Sequence, residues 1–212
     1  MKIVYPEVFI ESDISEKDAI MLIERAGRVC YKSENKIKRD SAETFIRNIL
    51  KSGHESVIEH VSVTVRIICD RGVSHEIVRH RLASYSQEST RYCNYSDDKF
   101  GNEITVVMPC FFEFINNEYD DYTYSVWYNS CKRAEDAYNV LISRGVSPQE
   151  ARSVLPHSLK VEMFVTMNLR EWRHFFRLRC SPAAHPQMRQ ITNMILNQFK
   201  QIFPLFVEDI EV

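Results

Sequence analysis

Glycine is scarce in this chain: five residues among 212. They form neither a G-x-G-x-x-G run nor a P-loop, so a nucleotide bound here is not held in a Rossmann crevice or by a glycine-rich phosphate loop. No apolar run approaches the length of a membrane span, and the opening MKIVYPEVFI has no signal-peptide pattern. The six cysteines (Cys30, Cys69, Cys93, Cys110, Cys131 and Cys180) include no C-x-x-C pair. Without secretion a disulfide framework is not expected, and the reading is of reduced thiols in a cytoplasm. A strong charge of one sign is lacking too. The net charge is −2, so the molecule as a whole is not built to coat nucleic acid or an anionic membrane, and any anion site must be local.

What the chain has in plenty is arginine, 17 residues against 10 lysines, which favours planar recognition of phosphate or carboxylate. At 44% apolar and 26% charged residues, it has the composition of a globular protein with a real core. No repeat, low-complexity tract or linker interrupts it.

Periodicity predicts a mixed α/β chain with long helices beside a modest sheet. Residues 2–10 alternate like a strand. A helix is expected over 16–31, with Ile20, Ile23, Ala26 and Cys30 near one stripe. A second follows in DSAETFIRNILKSG, with Asp40 and Glu43 at its start and Gly53 as its stop. VSVTVRI alternates at Val61, Val63, Val65 and Ile67 as a half-buried strand. A turn at Asp70–Gly72 then leads to a short helix over Ser74–Arg81, and residues 82–91 read as irregular. ITVVMP is a strand closed by Pro109, and a long helix runs from about Asp120 to Arg144, stopped by Gly145. Ser147, Pro148 and Glu150 form the capping-box start of the next helix. A strand or helix leads to NLREWRHFFRLR, and a last helix spans roughly 186–203.

Three clusters could carry chemistry. In SHEIVRHR, helical spacing would put Glu76, Arg79 and His80 on one face, with Arg81 at the exit. A charged solvated face is the plain reading. The next stretch changes it: Ser84, Ser86, Gln87, Ser89 and Thr90 offer short hydrogen-bonding groups and end in Arg91, the mixture that phosphate sites use. In NLREWRHFFRLR, Leu169, Trp172 and Phe176 make an apolar stripe. Arg170, Arg173, His174 and Arg177 are placed opposite, as a basic surface helix or a DNA-reading one, which the net charge argues against, and Arg179 adjoins a turn. In GHESVIEH, His54 and His60 are six apart, and His75 and His80 are five apart. Neither pair has H-x-x-x-H spacing and no carboxylate completes a zinc set, so no metal is expected. Cys110 follows a proline but precedes Phe111 rather than a histidine, and is read as a buried structural thiol.

These stretches resemble the flavin-dependent thymidylate synthases. RHRLASYSQESTRY is similar to their R-H-R signature, with Ser89 in the place of its serine. GHES…EH, EARSVLP around Arg152, NLREWRHFFRLRCSPAAHPQ and ERAGRVCY follow the same order over about residues 20 to 190. The resemblance implies a family-specific α/β (α+β) fold, not a Rossmann fold, with residues 1–212 as a single domain in a cytoplasmic homotetramer with active sites at subunit interfaces. It implies FAD as cofactor, dUMP as substrate, and NADPH and methylenetetrahydrofolate as co-substrates. The activity implied is reductive methylation to dTMP with no cysteine nucleophile. It places FAD contacts at Ser56, Arg79, His80, Arg81, Gln87, Asn168, Leu169, Arg170 and His174. It places dUMP contacts at Glu76, Ile77, Val78, Arg79, Gln87, Glu88, Ser89, Thr90, Arg91, Arg152 and Arg179, with Arg179 activating the uracil and His54 on the folate or flavin side. Glu76 stands where other members have Gln, and Ser86 where the signature often has Asn; both still hydrogen-bond. The competing readings are a nucleotide- or RNA-binding module using the same arginines, and a cysteine-nucleophile synthase, which the missing histidine after Cys110 disfavours.

Overall fold

The structure, a computed structural model, describes residues 1–112, 114–115, 118–119 and 121–210. The fold is mixed α/β. Strands β1 (Lys2–Val4) and β2 (Glu7–Ile10) replace the single strand expected at the start; Pro6, which has no N–H to give a ladder, separates them. Helices α1 (Glu16–Val29) and α2 (Ser41–Lys51) follow. Next come β3 (Ser62–Asp70), α3 (Arg71–Ile77), β4 (Ala83–Gln87) and β5 (Thr105–Val107). A short antiparallel pair, β6 (Phe114–Ile115) with β7 (Glu118–Tyr119), precedes α4 (Asp121–Ser143); the start expected at Asp120 lies outside the described residues. The chain ends with α5 (Pro148–Ala151), β8 (Lys160–Asn168), α6 (Leu169–Arg179) and α7 (Pro186–Ile202). The four-stranded sheet has the order β2-β3-β8-β4, and β1 pairs parallel with β5. Among the described residues no helix is long and apolar enough to cross a membrane.

The chain forms two compact units. The first comprises Met1–Glu7, Ile67–Arg79 and Ser86–Met163. Its core gathers Tyr95, Ile104, Val106, Cys131, Tyr138, Ala151 and Leu159, with Trp127 packed at the side. The capping box forms as expected: the Ser147 hydroxyl lies 2.5 Å from Glu150 Oε2, which also accepts the Ser147 N–H at 3.2 Å.

The second unit comprises Val8–Arg66, His80–Tyr85 and the chain from Phe164 onward. Trp172, Phe175, Phe176, Phe199 and Phe203 pack ring against ring, and Trp172 Nε1 donates to the Val63 carbonyl at 3.0 Å. The α1–α2 contact depends on Gly27: a Cβ there would come within 2.5 Å of the Phe45 ring.

Several expectations are corrected. Helix α3 begins three residues early because the Asp70 carboxylate caps it, accepting the Val73 N–H at 2.9 Å, and it stops at Ile77, before the R-H-R run. The turn expected at Asp70–Gly72 is thus the first turn of the helix, and Glu76, Arg79 and His80 do not share a helical face. Residues 83–87 form an edge strand rather than irregular chain, with Ser84 and Ser86 exposed between half-buried Ala83, Tyr85 and Gln87. Their small polar side chains hide that alternation from a hydrophobic count. Cys30 is the exposed cap of α1, not part of its buried stripe. Arg173 lies in the core, 1% exposed, rather than on a basic surface. Cys110 is half-buried.

Candidate functional site

In the first unit, α3 and the segment after α5 build one wall each of a cavity of about 360 Å³, lined by Arg71, His75, Thr90, Arg152, Ser153 and His157 among others. The capping box starts α5, and Arg152 follows at the head of a 3₁₀ turn (Arg152–Val154). From there its Nη1 donates to the Thr90 hydroxyl at 3.3 Å. The Arg71 backbone N–H is shared between the carbonyls of His157 and Leu159, at 3.0 and 3.1 Å. Its side-chain Nη1 is buried with no partner among the described residues. His75 and His157 meet edge to face at 6.1 Å. Two guanidinium groups, a hydroxyl and two imidazoles around one hollow attract an anion, and the buried Nη1 of the half-buried Arg71 is a donor that one would satisfy.

The substrate-side residues read from the sequence are divided by this geometry. Thr90 and Arg152 line the cavity together. Ser89 precedes them, and its hydroxyl accepts the Arg91 N–H at 3.3 Å. The exposed Arg91 side chain lies over the Tyr92 ring, 5.4 Å from its centroid. Glu88 is committed elsewhere: one oxygen takes the Lys160 ammonium at 2.8 Å and the other the Tyr95 hydroxyl at 3.0 Å. Ile77 is fully buried and serves the core, Val78 caps α3, and Glu76 is half-buried. Arg79 is exposed just past the helix, and Gln87 is half-buried at the end of β4. Sequence reasoning missed Arg71, His75 and His157 here. A cation directly after a capping Asp was the available signal for Arg71.

In the second unit, a cavity of about 500 Å³ is lined by Glu55, Glu59, Leu82, Asn168, Arg170, Glu171, His174 and Arg177. It lies over the first turns of α6. Asn168 caps that helix by accepting the Glu171 N–H at 2.9 Å, and the Leu169 N–H is tied to the Val61 carbonyl at 2.9 Å. Leu169 itself is buried, so any ligand contact at that position belongs to its backbone. Arg170 pairs with Glu59 at 2.6 Å, both side chains about half exposed. Such a pair contributes only about 0–1 kcal/mol, so Arg170 can exchange Glu59 for a ligand phosphate. Arg170, Asn168 and His174 therefore fit the anionic, hydrogen-bonding part of a dinucleotide. Ser56 is exposed on the 3₁₀ helix Glu55–His60, and His54, also exposed, immediately precedes it. Arg81 is exposed beside Leu82.

His80 does not present itself to this cavity as a surface group. It is 6% exposed, and Phe175 meets its ring edge to face at 4.8 Å. Its Nδ1 lies 3.3 Å from Glu171 Oε1, and its Nε2 accepts from Arg179 Nε at 3.1 Å. Burial, more than any neighbour, lowers its pKa, with Arg179 and His174 adding to that and Glu171 opposing it. The imidazole is accordingly neutral near pH 7. His80, Glu171 and His174 bring potential ligand atoms within 4.8 Å of one another, a grouping that the spacings of the histidines along the chain do not reveal.

The model of the family described as "Thymidylate synthase complementing protein" matches residues 14–205. A flavin-dependent thymidylate synthase of Geobacter sulfurreducens is 34% identical over 191 residues, covering 87% of this chain and 78% of that protein. One from Pyrococcus furiosus is 35% identical over 178 residues, covering 84% and 70%. Among solved structures, the UMP/dUMP methylase PolB of Streptomyces cacaoi bound with 5-Br dUMP has the same fold, with a TM-score of 0.78 over 98% of this chain and 96% of that one, at 21% identity.

Proposed function

This chain belongs to the flavin-dependent thymidylate synthase family, and from that premise we propose that it converts dUMP to dTMP, taking the carbon from methylenetetrahydrofolate and the reducing equivalents from NADPH. The observation that carries the substrate assignment is the cavity where Arg152, Thr90 and Arg71, whose buried Nη1 has no partner among the described residues, converge. It suits the nucleotide's 5′-phosphate, with Ser89, Arg91 and Gln87 close by in the chain and Glu76, Ile77, Val78, Arg79 and Glu88 supplying the frame. In this reading Arg179 faces the pyrimidine. Its fixed positive charge stabilises negative charge drawn onto the N3–O2 edge, which enriches C5 for attack on the folate-borne carbon. An arginine suits the task because it stays protonated and cannot itself serve as the base.

FAD would be held by Ser56, Arg81, Asn168, Leu169, Arg170 and His174, with Arg79, Gln87 and the backbone of the buried His80 completing the set; when bound it supplies hydride chemistry linking NADPH to the new methyl group. His54 is assigned to the folate or flavin side. The same proposal takes residues 1–212 as one domain, in a cytoplasmic homotetramer whose sites lie at subunit interfaces. No cysteine acts as nucleophile. Burial raises the Cys69, Cys93 and Cys131 thiols and pushes Cys180 up to about 11, which suits inert structural thiols.

The test is dTMP formation from dUMP with FAD or NADPH omitted in turn. Turnover that requires both, from a yellow protein whose flavin band bleaches under NADPH, supports the reading. A colourless protein that takes up no added FAD yet retains RNA would reject it in favour of a binding module.

A further inference from the structure

We propose that Glu171 and His80 are positioning residues for Arg179: the buried carboxylate sets the imidazole tautomer, and the imidazole in turn fixes the guanidinium. The inference rests on the role for Arg179 given above and goes beyond it.

The hydrogen-bond logic leaves one arrangement. A guanidinium only donates. Arg179 Nε sits 3.1 Å from His80 Nε2, so that ring nitrogen must be the bare, accepting one. A neutral imidazole with a bare Nε2 carries its proton on Nδ1, and Nδ1 is the atom that faces Glu171 Oε1, at 3.3 Å. The order of donors is therefore Arg179 to His80 to Glu171. Imidazole tautomers are set in this way by whatever the other nitrogen meets.

The imidazole bridges a distance that the carboxylate alone does not. Glu171 and Arg179 are eight residues apart on one helix, a rise of about 12 Å, so the carboxylate cannot reach the guanidinium itself. His80 spans the gap from outside the helix. Each member is held in turn: Glu171 by the Asn168 cap on its N–H at 2.9 Å, and the His80 ring by Phe175 at 4.8 Å. The His80 backbone is fixed as well, its carbonyl accepting the Tyr85 hydroxyl at 2.5 Å. Glu171 and His80 are 8% and 6% exposed, and in that low dielectric a wrong tautomer would leave a donor facing a donor. The groups facing His80 are Glu171, His174 and Arg179 from α6, and the Tyr85 hydroxyl on its backbone.

A metal ion held by His80, Glu171 and His174 is the rival use of the cluster. Both His80 nitrogens are already engaged, and the cation would sit beside a guanidinium, so positioning accounts for more of the geometry.

The deciding experiment compares Glu171→Ala and Glu171→Gln in the FAD-loaded enzyme. A displacement of about 1 Å at a reacting group can cost on the order of a hundredfold in rate. Glu171→Ala is expected to lower kcat for dTMP ten- to a hundredfold, with FAD content, flavin reduction by NADPH and the KM for dUMP little changed. Gln still offers a carbonyl to Nδ1–H and should recover most of the rate. In an Arg179→Lys background, Glu171→Ala should add no further loss. ¹⁵N-histidine NMR of the unmodified enzyme, with the His80 signals assigned by their absence in His80→Gln, should show protonated Nδ1 and bare Nε2. That readout decides the matter even if Glu171→Ala fails to fold: an Nε2–H tautomer or an imidazolium at neutral pH overturns the proposal. So does a stoichiometric bound zinc whose removal abolishes turnover. If Arg179→Lys is inactive while folded Glu171→Ala is fully active, positioning alone fails. If Arg179→Lys itself turns over normally, the role of Arg179 fails.

Discussion

Arg152 and Arg91 look equivalent in the sequence, two arginines near serines and a threonine, but the fold separates them. Arg152 reaches Thr90 across a hollow, whereas Arg91 lies outward over Tyr92. A charge-assisted contact to phosphate contributes about 1.5–3 kcal/mol, roughly ten- to a hundredfold in affinity. Arg152→Ala is therefore expected to weaken dUMP binding by that factor in calorimetric titration, with FAD binding unchanged. Arg91→Ala should cost less, and equal losses for both ligands would show that Arg152 does not serve the phosphate. Cys110→Ala tests chemistry from the other side. It should keep the circular dichroism spectrum and the turnover of the parent protein; complete loss in a folded variant would mean that a thiol takes part after all.

Helix α6 shows how an element can be legible in outline and misread in detail. Its apolar stripe follows from Leu169, Trp172 and Phe176, which the sequence pattern picks out, whereas the Asn168 cap is a finding of the structure. Arg173 is the exception. It is buried because the chain brings two distant carboxylates to it: Glu55 at 3.1 Å and Asp209 at 2.6 Å. No local periodicity signals partners 118 and 36 residues away. The same limit hid His80 with Glu171, and likewise Arg71 in its cavity. The strand β4 was hidden for a different reason: serines on its outer face give no hydrophobic alternation.

Two stability measurements belong to this element. Arg173→Met keeps volume but leaves Glu55 and Asp209 without their buried partner. Breaking such a pair costs about 3–5 kcal/mol, and because Arg177 also touches both carboxylates, at 3.3 and 3.2 Å, the lower end is expected in urea unfolding. The hydrogen bond from Arg173 is the first cause holding the Asp209 carboxyl below its ordinary 3.8. A folded-state value below the unfolded one stabilises the protein fully above the unfolded pKa, and that stability is lost as pH falls through the depressed value. Asp209→Asn should therefore cost stability at pH 7, and the gap from the parent protein should close below about pH 4. A gap that stays constant with pH would remove Asp209 from the acid response.

At the scale of the whole molecule, the residues assigned to dUMP are divided between the two compact units: Thr90, Arg91 and Arg152 in the first, Arg179 in the second. If the enzyme is a homotetramer with sites at subunit interfaces, one nucleotide can meet the first group from one subunit and Arg179 from another. A closed symmetric oligomer repeats that arrangement at every equivalent interface, which makes it open to complementation. Arg152→Ala and Arg179→Lys, each expected to be nearly inactive alone, can be co-expressed with different tags and purified through both. Random assortment then gives roughly a quarter of the sites an intact Arg152 from one subunit and an intact Arg179 from its neighbour. Sedimentation should give the tetramer, and the mixed preparation should make dTMP at about that fraction of the parent rate. Each variant assayed alone controls for residual activity. A mixed tetramer no more active than its parts would show that Arg152 and Arg179 of one site come from the same subunit, and would return the whole dUMP site to a single chain.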